Sequence, residues 1–139
     1  MTKAVLLDTS VLIHDPTSMT SFGEDTEVLI PIYVIMELDV LKDTPKREKS
    51  HVAHLARQAS NLILELQPEG KVKVVSHDGE ISIRSLDRAN QIRYVDLLIL
   101  QTAIHIKDDY DLTLISRDIN LRIICESVGV KSDDYTSDT

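Results

Sequence analysis

Four carboxylates stand where an acid needs a physical reason to be. Asp8 follows the apolar triplet Val5-Leu6-Leu7, and Asp118 lies two residues past Ile115-Ser116. Glu37 shares a helical face with Val34, Leu38 and Leu41, and Asp96 shares one with Ile99, Leu100 and Ala103. Taking a carboxylate out of water costs on the order of several kcal/mol unless a positive group holds it. No arginine or lysine falls on these faces at the right spacing, so a divalent cation is the natural partner. Mg2+ or Mn2+ fits best, because both take oxygen ligands and keep part of their hydration. Thr9, Ser10, Ser116 and Asn120 add hydroxyl and amide oxygens beside the acids. The plainer reading is that acids at helix starts serve as caps or dipole partners.

These residues need elements to position them. "AVLLD" at 4 to 8, "EVLIPI" at 27 to 32, "KVKVV" at 71 to 75 and "LTLIS" at 112 to 116 are short apolar runs bounded by polar residues, as buried parallel strands are. Val52, Leu55, Ala56, Ala59, Leu62, Ile63 and Leu66 follow a 3.6-residue period and predict an amphipathic helix over 49–66. A helix beginning near Tyr94 is apolar nearly all round from Val95 to Ile106, which predicts that it is buried. Glu37 and Asp96 are expected in the first turns of their helices. The stretch 76–93 is weakly patterned, and Asp78-Gly79 predicts a hairpin turn in a mobile excursion. Alternating strands and helices make the chain α/β, a single-domain parallel-sheet sandwich with helices on both faces. In such sheets ligands bind at the carboxyl ends of the strands. If the strands before Asp8 and Asp118 are neighbours, both acids open onto one site.

Composition bounds what this site serves. The 139 residues carry 15 Lys plus Arg against 23 Asp plus Glu, a net charge of −8, and 42% hydrophobic residues. That length and apolar content suit one domain, set at 1–135, followed by a polar tail at 136–139; "SDDYTSDT" reads as a frayed tail or the start of a linker. No run reaches the ~20 apolar residues of a membrane span and no signal peptide opens the chain, so the reading is soluble and cytoplasmic. The acidic balance argues against strong non-specific nucleic-acid binding, which depends on phosphate neutralisation. A polyanion partner would need bound cations or a local basic patch, for which Lys42, Lys46, Arg47 and Lys49 are the candidates. The single cysteine, Cys125, falls on an apolar stripe as a core filler. His51, His54, His77 and His105 show no ligand spacing; His14 is near enough to Asp8 in sequence to line the rim, and Asp15 and Asp39 are candidate supporting acids.

In order and spacing, "VLLDTSVLIHDP", "VLIPIYVIMELDVLK", "VDLLILQTAI" and "LISRDINLRI" resemble the PIN domain, more narrowly the PIN domain found N-terminal to PhoH-like ATPases. The likeness runs from about residue 4 to about 135. It implies a metal-dependent ribonuclease in which Asp8, Glu37, Asp96 and Asp118 form the acidic quartet and Ser10 and Ser116 support it. One or two Mg2+ or Mn2+ ions would then activate a water in line and stabilise charge on the phosphate, leaving 5′-phosphate and 3′-hydroxyl ends. It also implies RNA as substrate and a homo-oligomer, dimeric as in many members; a single strand is expected, because a phosphate must descend to carboxylates at the sheet edge and a stiff duplex presents it poorly. The ATPase of that arrangement needs a G-x-x-x-x-G-K-[ST] loop, which this sequence lacks. The chain is therefore a stand-alone or truncated domain, or its ATPase lies in a continuation.

The competing reading is a PIN-like module that binds RNA or a protein without cutting. Two other acidic-pocket α/β classes fail on motif. A haloacid-dehalogenase-type phosphatase wants D-x-D-x-[TV] after its first strand, and "DTSVL" lacks the second aspartate. A phospho-receiver wants paired acids before that aspartate and a lysine after a later strand.

Overall fold

A computed structural model describes residues 1–44, 46–76 and 88–136, with side chains described outside 45–50 and 88–94. In chain order the elements are β1 (Lys3–Leu7), α1 (Thr9–His14), a 3-10 turn (Ser18–Thr20), β2 (Thr26–Pro31), α2 (Ile32–Leu41), α3 (Lys46–Leu66), β3 (Lys73–Val75), α4 (Arg88–Ile106), β4 (Asp111–Ile115), α5 (Ile119–Ser127) and β5 (Ser132–Asp133). The strands form one parallel sheet in the order β3-β2-β1-β4-β5. All four apolar runs of the sequence become strands. Ala4 to Leu7 and Val28 to Pro31 are buried at every position, so both faces of the sheet centre are covered. Leu6, Leu7, Leu29, Ile30 and Leu114 are fully buried there. Each contributes at most about 1.5–3 kcal/mol relative to exposure.

The order of the strands places the site. From β1 the chain moves to β2 and β3 on one side, then crosses to β4 and β5 on the other. β1 and β4 are thus direct neighbours, with Leu7 opposite Ile115 in register. That reversal opens the crevice in which parallel sheets bind ligands. Asp8 and Asp118 leave the two strands that flank it.

The helices follow the expected patterns with four corrections. α3 buries Ala53, Ala56, Ala59, Ile63 and Leu66, and its small alanines let it pack close to α1 and α2. α4 is one-sided, not apolar all round: Leu98, Ile99 and Ala103 are buried, but Leu97 and Ile104 are each more than 40% exposed at i, i+7 on the outer face. It also begins at Arg88, ahead of Tyr94, so residues 88–93 are helical; the rest of the expected excursion, 77–87 with its Asp78-Gly79 turn, lies outside the described residues. With α2 beginning at Ile32 and α4 at Arg88, neither Glu37 nor Asp96 sits in the first turn of its helix.

The polar C-terminal stretch is the fourth correction. Ser132–Asp133 form a fifth strand against β4, and Tyr135 is 4% exposed. α5 ends in a Schellman turn: Gly129 takes φ 81, its N–H reaches the Glu126 carbonyl at 3.4 Å, and Val130 N–H reaches that of Cys125 at 2.9 Å. The reversal aims the chain back at the sheet edge. The Tyr135 hydroxyl then donates to Asp15 Oδ2 at 2.8 Å, and its ring meets His14 edge-on and Phe22 at a tilt. Polar composition hid one buried aromatic anchor. Tyr135→Ala is expected to cost about 3 kcal/mol as a large-to-small core change, and Tyr135→Phe about 1 kcal/mol for the hydrogen bond. Urea denaturation of both variants checks this; two midpoints equal to the parent's would mean that the tail does not dock.

Candidate active site

Asp8 is the most enclosed of the four acids. It is 3% exposed, and it caps α1. Its Oδ1 accepts from the Ser10 amide and the Ser10 hydroxyl, both at 2.5 Å, and its Oδ2 accepts from the Ser116 hydroxyl at 2.6 Å. Burial raises its pKa, and the hydrogen bonds from Ser10 and Ser116 work in the opposite direction. Ser116 is fully buried and links the two strand ends: while donating to Asp8 it accepts the Asp118 amide at 2.9 Å. Ser10 does the same on the other side, accepting the Arg117 amide at 3.0 Å. The two serines therefore lock the β1–α1 corner to the β4–α5 corner.

Asp118 caps α5 through Oδ1 alone, which accepts from Asn120 N–H at 2.9 Å and Leu121 N–H at 3.3 Å. The capping reading is thus correct for Asp8 and Asp118. It is also incomplete, because the acids act on one another. Burial raises Glu37, half-buried in α2, and the charges of Asp96 and Asp8 raise it further. Asp96 is exposed as a residue, yet protein atoms around its carboxyl, followed by the charges of Asp8 and Asp118, lift its pKa to about 6. α2 packs against α4, which brings Glu37 and Asp96 together. No positive group is among the influences on Asp8, Glu37 or Asp96. Four acids from four elements share one edge without a compensating cation among the described residues.

The fit to a divalent cation rests on two observations. All the groups gathered here offer oxygen, the donor set of Mg2+ and Mn2+. Thr9 is 7% exposed, and its Oγ1 meets no partner at hydrogen-bond geometry, although it lies near enough to Glu37 to lower that carboxyl. A buried hydroxyl without a partner costs about 1–3 kcal/mol, and an ion held beside it would offset that cost. Among the described residues, no three His, Cys, Asp or Glu side chains stand in ligating geometry as they are.

Other sequence candidates separate from this edge. Asn120 contributes its amide to the Asp118 cap, and its side chain is exposed. Asp39 does not support the quartet: it pairs with Lys42 at 2.7 Å on the surface. Asp15 sits at the far end of α1, where Thr17 and Tyr135 hold it. Lys46, Arg47 and Lys49 begin α3, and their side chains lie outside the described residues. Cys125 is a core residue; burial raises its thiol to about 11, which leaves it unreactive. A groove of about 840 Å3 between Met19, Glu27, Leu66 and Lys73 lies at the amino ends of β2 and β3, and none of the four acids lines it. Arg117, between Ser116 and Asp118, is not among the sequence candidates, and its main chain is held on the Ser10 hydroxyl.

The fold and this edge define a parallel α/β domain with an acidic site at its switch point. Within that class, the chain belongs to the PIN domain family, whose profile matches residues 5–136. It is 31% identical to protein PhoH2 of Thermobispora bispora over 96% of its own length. It is 30% identical to protein PhoH2 of Bacillus subtilis over 99% of its length. The chain spans about a third of these relatives, 32% and 34% of their lengths. Among solved structures it is similar to a domain of a functionally unknown protein from Methanocaldococcus jannaschii, with a TM-score of 0.67 at 17% identity, covering 99% of this chain and 94% of that one. That likeness concerns the fold alone. No helix among the described residues is long and apolar enough to cross a membrane.

Proposed function

We propose that this domain is a metal-dependent endoribonuclease that hydrolyses phosphodiester bonds of single-stranded RNA at the acidic edge. The observation that carries the proposal is the convergence of Asp8, Glu37, Asp96 and Asp118, mutually repelling and uncompensated among the described residues, where the strand order reverses. Membership of a nuclease-like family points the same way.

The four carboxylates would hold one or two Mg2+ or Mn2+ ions, with Thr9 Oγ1 beside Glu37. Such ions supply Lewis-acid activation of water and neutralise charge on the phosphate. Ser10 and Ser116 keep both oxygens of Asp8 oriented, so that its carboxylate is in place before substrate arrives. Asp118 keeps Oδ1 on its helix cap, which would leave Oδ2 for an ion. A single strand suits an edge crevice, because a flexible backbone can lower one phosphate toward buried carboxylates and a stiff duplex cannot. Cleavage is expected to leave 5′-phosphate and 3′-hydroxyl ends. A PhoH-like ATPase in the same longer chain is the partner that the relatives' greater length suggests.

The second reading, a module that binds RNA without cutting, draws on the lack of ready ligating geometry. Matched single- and double-stranded RNAs incubated with the protein in Mn2+, Mg2+ or EDTA separate the two. Metal-dependent cutting of the single strand is expected; tight binding in EDTA with intact RNA under every ion would favour the module and refute the nuclease.

A further inference from the structure

Arg117 occupies an unusual place for a cation. It is flanked by Ser116 and Asp118, and its Cα is about 3.8 Å from that of Asp118 across one peptide bond. Its main chain is fixed, because its N–H donates to Ser10 Oγ at 3.0 Å, the hydroxyl that also holds Asp8. Its side chain is exposed. The other described arginines are engaged: Arg57 donates to the Lys42 carbonyl at 2.8 Å and Arg122 lies 4.0 Å from Asp134. Arg117 makes no such contact among the described residues, even with four acids nearby. Nor does it act among the groups that shift Asp8, Glu37 and Asp96. The guanidinium therefore forms no ion pair with the described carboxylates, which leaves them free for a cation.

An anchored backbone with a free guanidinium at the rim of an anionic site has one chemical use that fits. We infer that Arg117 binds a backbone phosphate of the nucleic-acid strand next to the one that enters the acidic edge. This rests on the nuclease reading of the site. A guanidinium matches two phosphate oxygens at once, so it orients the strand as well as attracting it. In a chain of net charge −8, one cation at this position offsets repulsion where it is greatest. Such a contact is made equally in the bound state and the transition state. It should therefore appear in KM and leave kcat unchanged.

The test uses Arg117→Ala and Arg117→Lys with a fluorescein-labelled oligouridylate in Mn2+ for cleavage, and in Ca2+ for binding across a salt series. Alanine is expected to raise KM about tenfold at constant kcat. It should also make the salt dependence of log Kd shallower by about 0.7, the value for one lost phosphate contact on a single strand. Lysine should restore the salt slope but only part of the KM, because it keeps the charge and loses the fork. Both variants are expected to melt with the parent, since the side chain is exposed. A parent that cuts while Arg117→Ala matches it in KM and salt slope overturns this inference alone, as does a loss confined to kcat. A parent that neither cuts nor binds overturns the nuclease reading and this inference with it.

Discussion

Cleavage of single-stranded RNA in Mn2+ is expected to fall at least about a hundredfold in kcat/KM on Asp118→Asn, with no loss of stability in the absence of metal. Even residues that merely support metal ligands cost about 10–100-fold in activity when changed, and Asp118 is proposed as a ligand. Stability should survive because asparagine caps a helix as well as aspartate does. Its carbonyl can take over the bonds that Oδ1 accepts from Asn120 and Leu121. The substitution also removes one of the charges that raise Asp96. Asp8→Asn is the harsher variant. An amide there would turn one NH2 group toward Ser10 or Ser116, both of which now donate to it. Gel analysis of cleavage together with thermal melting checks the pair of claims. Full activity in Asp118→Asn would remove Asp118 from the site.

The second large effect is thermal. Mn2+ at a hundredfold excess over its Kd should stabilise the parent by about 2.7 kcal/mol, because it binds the folded state alone. At about 3 °C per kcal/mol for a domain of this size, that is a rise of about 8 °C in Tm. In Asp118→Asn most of the rise should vanish. The rise should also depend on pH. Asp96 has a pKa of about 6 when folded, against an ordinary 3.8, so the folded state binds its proton more tightly than the unfolded chain does. Its contribution to metal-free stability is fully present below about pH 4 and is lost as pH rises through about 6. A cation needs the ionised form, so the metal-induced rise should be small near pH 5 and large near pH 7.5. Scanning fluorimetry at both pH values is sufficient, and a rise equal at both, or equal in parent and Asp118→Asn, would dissociate these acids from the metal.

Much of this protein could be read from its letters for a physical reason. Parallel strands covered on both faces must be nearly continuous in apolar residues, so "AVLLD", "EVLIPI" and "LTLIS" announce themselves, and an acid at the end of such a run stands out. A helix with one buried face repeats every 3.6 residues, which located the body of α3 and placed Glu37 beside Val34 and Leu38. Those signals are local, and they determined the fold class, the strand ends and the four acids. Polar letters misled where burial depends on distant partners. Tyr135 lies in a stretch as hydrophilic as any tail, but Asp15, His14 and Phe22, more than a hundred residues earlier, make a pocket for it.

Tertiary structure alone decided what the acids do to one another. Only the pairing of β1 with β4 makes Asp8 and Asp118 neighbours, and only the packing of α2 on α4 brings Glu37 to Asp96. The raised pKa of Asp96 is a property of that assembly, since it comes from crowding and from charges far away in sequence. The same holds for the serines. Ser10 and Ser116 are ordinary hydroxyls in the chain, and they become a clasp between two corners because Ser10 donates to Asp8 while accepting the Arg117 amide from the other corner, and Ser116 donates across to Asp8 while accepting the Asp118 amide at its own. Sequence periodicity reports which way a side chain faces within its own element. Which residues meet across elements depends on strand order and helix packing, and so does the freedom of Arg117 beside four acids.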